Sequence, residues 1–168
     1  MMRAVKFRSS IPAIPDGEAH AELLTPELTD WTVDRKSQLD YSYERFALAK
    51  IFVFRKWCEQ AAERQVLAPI DLSGSCKYGS LFINQVFGGS ICSHYEHQYN
   101  LIGGRIVDLS HDALDVGRII NPYLHEPDYF SIPEKRASLN SCLPRVERWV
   151  VQFLLEIESR RIRDLTRL

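Results

Sequence analysis

The chain has 168 residues, a formal net charge of -1, and a composition that is 45 % hydrophobic and 26 % charged. Those values describe a soluble globular chain with room for one domain and modest extensions, and they exclude disorder as the global state. Lys and Arg number 21 against 22 Asp and Glu, so no broad electrostatic footprint for nucleic acid or an anionic membrane is expected.

No apolar run approaches the ~18 residues that a spanning helix needs. The start, Met1-Met2-Arg3-Ala4-Val5-Lys6-Phe7-Arg8, is basic, but no apolar stretch of signal-peptide length follows it. The expectation is a cytoplasmic protein, with export by a route lacking a cleavable signal left open. Cys58, Cys76, Cys92 and Cys142 are widely spread without a CxxC pair. In a reducing compartment they read as free thiols rather than a disulfide framework.

Residues 1–38 sustain neither a helical nor a strand period and carry Pro12, Pro15 and Pro26. They read as an irregular arm, with a short helical turn at Pro26-Glu27-Leu28. Its apolar residues Ile11, Ile14, Leu23, Leu24 and Trp31 predict that it lies on the body, over the first long helix. Residues 39–168 are expected to form one domain. From Tyr41 to Leu67 the apolar positions Phe46, Ala49, Phe52 or Val53, Trp57 and Ala61 recur at helical spacing, and Pro69 marks the stop. The turn Asp71-Leu72-Ser73-Gly74-Ser75-Cys76 leads into an apolar helix, Lys77 to Phe87, ended by Gly88-Gly89. Strands are predicted over 90–95, 96–102 and 105–110, the last two joined by Gly103-Gly104. Residues 111–140 read as a long surface loop with short turns, in which His125, Glu126 and Asp128 could line a cleft. A last helix runs from Leu143 to Leu165, its inner stripe being Val146, Trp149 or Val150, Phe153 and Ile157. Its end is basic, as a helix dipole favours. The fold class expected is α+β.

Three residues carry the chemistry. Cys76 follows Gly74-Ser75 at a helix start, where unpaired amide N–H groups favour a thiolate and can also receive an oxyanion. The plain alternative is a small buried hydrophobe. A two-residue turn at Gly103-Gly104 sets Ile102 opposite Arg105, Tyr99 opposite Asp108 and His97 opposite Ser110. His97 and Asp108 then become diagonal neighbours on one face, within reach of a carboxylate–imidazole contact. A slip of one residue would separate them. The plain alternatives are a half-buried strand histidine and a strand-end carboxylate capping the next loop. Thiol, imidazole and carboxylate together are the parts of a relay in which the imidazole moves the proton and the carboxylate fixes its tautomer.

The stretches Gly74-Ser75-Cys76-Lys77-Tyr78-Gly79-Ser80-Leu81, Gly88-Gly89-Ser90-Ile91, His97-Gln98-Tyr99-Asn100 and Val107-Asp108-Leu109-Ser110 resemble the core of the YunG-like family. That core is similar to minimal papain-like domains, thiol hydrolases and transferases using Cys, His and Asp or Asn in this chain order. The resemblance covers about residues 70–112, with a weaker echo at Arg148-Trp149. It implies a papain-like core in which a nucleophile helix packs on a small antiparallel sheet. Cys76 would be the nucleophile, His97 the general base and Asp108 the orienting group, acting on an amide or isopeptide bond of a protein or peptide without any cofactor. Ser75 stands where the family motif usually has Gln; if that Gln binds the oxyanion, its role is lost here or moved to Gln85 or Gln98, with Ser75 and Lys77 as the other oxyanion or substrate-binding candidates. The rival expectation is a silent member of the same fold, serving as a binding or regulatory module. Zinc is the other chemical candidate, through Cys92, His94 and His97 with Cys76 or Asp108. In a regular strand Cys92 and His94 point away from His97, so no metal site is expected.

Overall fold

The computed structural model describes residues 29–166. The expectations at Ile11, Ile14, Leu23, Leu24 and 26–28 lie outside the described residues. Among those described, the protein is an α+β structure of four α-helices and a three-stranded antiparallel sheet.

Helix α1 spans Tyr43–Glu63. Its N-cap is Ser42, whose Oγ accepts the Arg45 N–H at 3.2 Å, satisfying one of the orphan donors of a helix start. It stops short of the expected Leu67 because Gln65 turns into the left-handed region at φ 56°. The N–H of Val66 then bonds back to Ala61, which ends the helix before Pro69 is reached.

Helix α2 spans Cys76–Phe87 and is buried from Gly79 onward. Gly88 and Gly89 end it with φ of 77° and 74°. Both must be glycine for a second reason. A Cβ on Gly88 would collide with the Arg35 carbonyl, and one on Gly89 with the Leu101 carbonyl. That close approach lets Arg35 and Gly89 exchange two backbone hydrogen bonds of 2.9 Å.

Strands β1 (Ser90–Ser93), β2 (Gln98–Ile102) and β3 (Arg105–Val107) form the sheet in that order. The β2–β3 register is the expected one, pairing Ile102 with Arg105 and Asn100 with Val107. Gly103 and Gly104, at φ 55° and 75°, supply the positive angles such a two-residue turn needs. The strands are shorter than expected. The N–H of His94 donates to the His97 carbonyl at 3.0 Å, so Tyr95 and Glu96 form an exposed turn instead of strand. Beyond Val107 the chain leaves the sheet, because Asp108 bends the backbone onto its own carboxylate.

The 111–140 segment is more ordered than a loop. It holds two 3-10 turns, at Val116–Arg118 and Tyr129–Ser131, then helix α3 over Pro133–Asn140 with Leu139 fully buried. Proline at its first position is a start signal that the surrounding polar residues obscure. Helix α4 spans Leu143–Leu165, and Val146, Trp149, Val150 and Phe153 are buried along it.

Ring contacts fix how the helices lie. Tyr78 meets Trp149 at 5.5 Å and Phe82 meets Phe153 at 5.3 Å, so α2 and α4 advance together and run parallel. Gln60 bonds Tyr78, while Phe52 stacks on Phe82, so α1 runs the opposite way. The N-termini of α2 and α4 therefore share one end of the helix layer. Trp31, upstream of α1, is 2 % exposed in the same core. Its carbonyl accepts the Ile91 N–H at 2.8 Å. The described part of the arm thus lies along the end of α2 and the start of β1. No helix among the described residues is long and apolar enough to cross a membrane.

Candidate active site

Cys76 is the first residue of α2, with Ser75 as N-cap. The first helical hydrogen bond runs from Gly79 N–H to Ser75 O at 2.9 Å. The N–H groups of Cys76, Lys77 and Tyr78 precede it and have no carbonyl one turn back within the helix. Ser75 does not cap them with its side chain. Its hydroxyl donates to the Leu72 carbonyl at 2.6 Å, and the residue is 1 % exposed.

The turn that delivers Cys76 is held by two carboxylates. Asp71 accepts the N–H groups of Ser73 and Leu114, and Asp115 accepts the Gly74 N–H at 2.7 Å. The Leu114 and Ser73 bonds hold the Asp71 carboxyl below its ordinary range. Gly74, at φ 75°, makes the bend. The elbow before Cys76 is thereby pinned to the segment that follows β3.

His97 sits one residue before β2 and is 2 % exposed. Its Nε2 lies 2.8 Å from Oδ2 of Asp108. Asp108 also accepts the Ser110 N–H and Oγ–H on Oδ1, each at 2.9 Å. Capping the next loop and orienting the histidine, which look like alternatives in the sequence, are performed by the two oxygens of one carboxylate. Burial alone pushes the His97 pKa down. Hydrogen bonds to Asp108 and Cys76, with the charges of both, outweigh it and raise the value from 6.5 to about 9. Nε2 being taken by Asp108, Nδ1 is the nitrogen left for Cys76.

Sequence reasoning missed Tyr123. Its hydroxyl donates to Asp108 Oδ2 at 3.3 Å, its carbonyl accepts the Tyr99 hydroxyl at 2.8 Å, and its ring meets His97 edge-on at 6.2 Å. Nothing local announces this, because the contact spans 15 residues. Burial pushes the Tyr99 and Tyr123 hydroxyls up to about 12, with the nearby Cys92 and Asp108 respectively adding to the rise.

The Lys77 ammonium is turned to Ser138 Oγ at 2.6 Å, leaving its backbone N–H at the helix start. Gln85 is buried on α2, and its carbonyl accepts the Gln38 amide at 2.8 Å. Gln98 is 3 % exposed beside His97, and its Oε1 has no hydrogen-bond partner among the described residues. His125 and Glu126 pair with the end of β1 through Ser93.

The zinc geometry expected from one regular strand is corrected by the Tyr95–Glu96 turn. Cys92 pairs across the sheet with Tyr99, which puts it on the Tyr99 face. His94, however, is spent on backbone: Nε2 contacts the Pro122 carbonyl at 3.0 Å and Nδ1 accepts from Glu96 N–H. No group of three His, Cys, Asp or Glu among the described residues could hold a metal ion. Among the described residues all four cysteines are free thiols, with Cys76 half-buried and Cys142 buried at the start of α4.

No protein-family model, curated protein or solved structure matches this chain.

Proposed function

We propose that the protein is a papain-like thiol hydrolase or acyltransferase acting on an amide or isopeptide bond of a protein or peptide. The observation that carries this reading is the buried His97 ring, bonded to Asp108 on Nε2 and coupled to Cys76 at a helix start. The Cys76 thiolate would attack the carbonyl carbon, forming a C–S bond and moving the C=O pair onto oxygen. N–H groups of the first α2 turn would receive that oxyanion, with the Gln98 amide as a further donor. On collapse the C–N bond breaks, and the leaving amine takes its proton from His97 Nδ1. Neutral His97 would then remove a proton from water as it attacks the thioester. The thiolate leaves, and the imidazolium is restored. An amine in place of water gives transfer instead of hydrolysis.

The second reading, a silent binding or regulatory module of the same fold, is favoured by one observation. Ser75 replaces the glutamine of the resembling family, and its hydroxyl is turned inward to Leu72. Thiol reactivity separates the two. Iodoacetamide at neutral pH should alkylate Cys76 at least about tenfold faster than Cys58, Cys92 or Cys142, and His97→Ala should remove that advantage. Equal rates at all four thiols would leave the silent module.

A further inference from the structure

Asp108 Oδ2 serves two donors, and they come from different parts of the chain. His97 Nε2 approaches from the β1–β2 turn, and the Tyr123 hydroxyl from the 119–128 segment. That segment is itself fastened over the hairpin. His94 Nε2 bonds the Pro122 carbonyl, the Tyr99 hydroxyl bonds the Tyr123 carbonyl, and Glu126 N–H bonds Ser93 O at 2.8 Å. Tyr123 therefore reaches the carboxylate from a fixed backbone, with 36 % of its surface exposed on the outer side.

We infer that Tyr123 is a positioning residue of the Cys76–His97–Asp108 site, its hydroxyl fixing the carboxylate oxygen that holds His97 and its ring closing the imidazole from water. The inference rests on the thiol-site reading for its use in chemistry, but its effect is exerted on His97 and is measurable without turnover. Two physical effects meet in this residue. The hydroxyl draws charge from Oδ2, so it weakens the pull of Asp108 on the His97 proton. The ring keeps water out, which strengthens the pull of Asp108 but also costs the imidazolium its hydration, so its signature is protection of the ring from solvent and not the midpoint. The titratable groups facing His97 are Asp108 after β3, Cys76 on α2, Tyr99 on β2 and Tyr123 itself, with Cys92 of β1 behind Tyr99.

Proton NMR titration of the His97 ring in the whole chain tests this, with His97→Gln assigning the resonance. Tyr123→Phe, which keeps the ring and removes the hydroxyl, should raise the His97 midpoint by about half a pH unit. Tyr123→Ala, which opens the ring to water, should speed exchange of the His97 ring N–H with solvent at least about tenfold. A Phe variant that titrates like the wild type, or lower, overturns the inference. So does an Ala variant whose His97 ring N–H exchanges no faster than that of the wild type. Thermal melts of both variants check that each is folded. Alkylation of Cys76, measured separately, reports on the thiol-hydrolase reading. An unreactive Cys76 with shifted His97 midpoints would sink that reading and leave Tyr123 in its positioning role.

Discussion

His97 Nε2 lies 2.8 Å from Asp108 Oδ2, while Oδ1 of the same carboxylate closes the turn to Ser110. The histidine is thus oriented by a group that the backbone itself immobilises. A rotation of Asp108 away from His97 would break two bonds to Ser110 at the same time. This coupling makes the orientation of the imidazole a property of the β3 exit, not of side-chain rotamer choice alone.

Asp108→Asn separates charge from shape at this point. The amide keeps an oxygen for Ser110 but loses the negative charge that favours the imidazolium. The His97 titration should fall below about 9, and alkylation of Cys76 at neutral pH should slow at least about tenfold. An unchanged alkylation rate with lowered thermal stability would reduce Asp108 to a loop cap.

The same pair makes stability depend on pH. The folded-state value of His97, about 9, lies above the 6.5 of the free side chain. A raised value means the folded chain binds the proton more tightly, so the contribution is fully present below about 6.5 and is lost as pH rises through about 9. Denaturant unfolding at pH 6, 8 and 9.5 should show a declining midpoint in the wild type. The decline should be smaller in His97→Gln. Parallel slopes in both chains would mean that His97 makes no such contribution.

How much of this was legible depended on whether the signal was local. The Gly103-Gly104 pair sets the β2–β3 register by itself, because two adjacent positive-φ residues admit few other hairpins. The apolar stripe of α4 is long enough to fix both of its ends. Helix α3 has a single fully buried apolar position, Leu139, and so carries no period to read. The Tyr95–Glu96 turn contains no glycine, asparagine or proline, and its geometry comes from the β1–β2 pairing around it. Tyr123 acquires its place from contacts between distant segments, which no spacing rule encodes.

Gly89 offers a direct check on the α2–β1 junction. Alanine there would be strained by its φ of 74° and would also press its Cβ into the Leu101 carbonyl. Gly103, at φ 55°, has nothing within 4 Å of the Cβ position. Gly103→Ala should therefore cost about 1–2 kcal/mol from backbone strain alone. Gly89→Ala should cost more, roughly 3 kcal/mol or above, because β1 or β2 must also shift. Urea titrations of the two variants measure the difference, and equal losses would mean that the junction yields easily.

Trp31 tests whether the segment before α1 belongs to the core. Its ring is 2 % exposed, Nε1–H donates to Asn140 Oδ1 at 2.9 Å, and its carbonyl takes the Ile91 N–H. One residue therefore ties the upstream chain to the end of α3 and to β1, whose partner strand β2 follows His97. Trp31→Ala would leave a large cavity and remove the indole hydrogen bond to Asn140, an expected loss of about 3–5 kcal/mol. Trp31→Phe keeps most of the burial and removes the indole donor, so about 1–2 kcal/mol should go. Because the Ile91 bond is made by backbone, neither change removes it directly. Cys76 alkylation measured well below the melting temperature should then stay within about twofold of wild type. A large fall in alkylation with little loss of stability would show that the segment before α1 reaches the thiol site through β1 and not merely through the shared core.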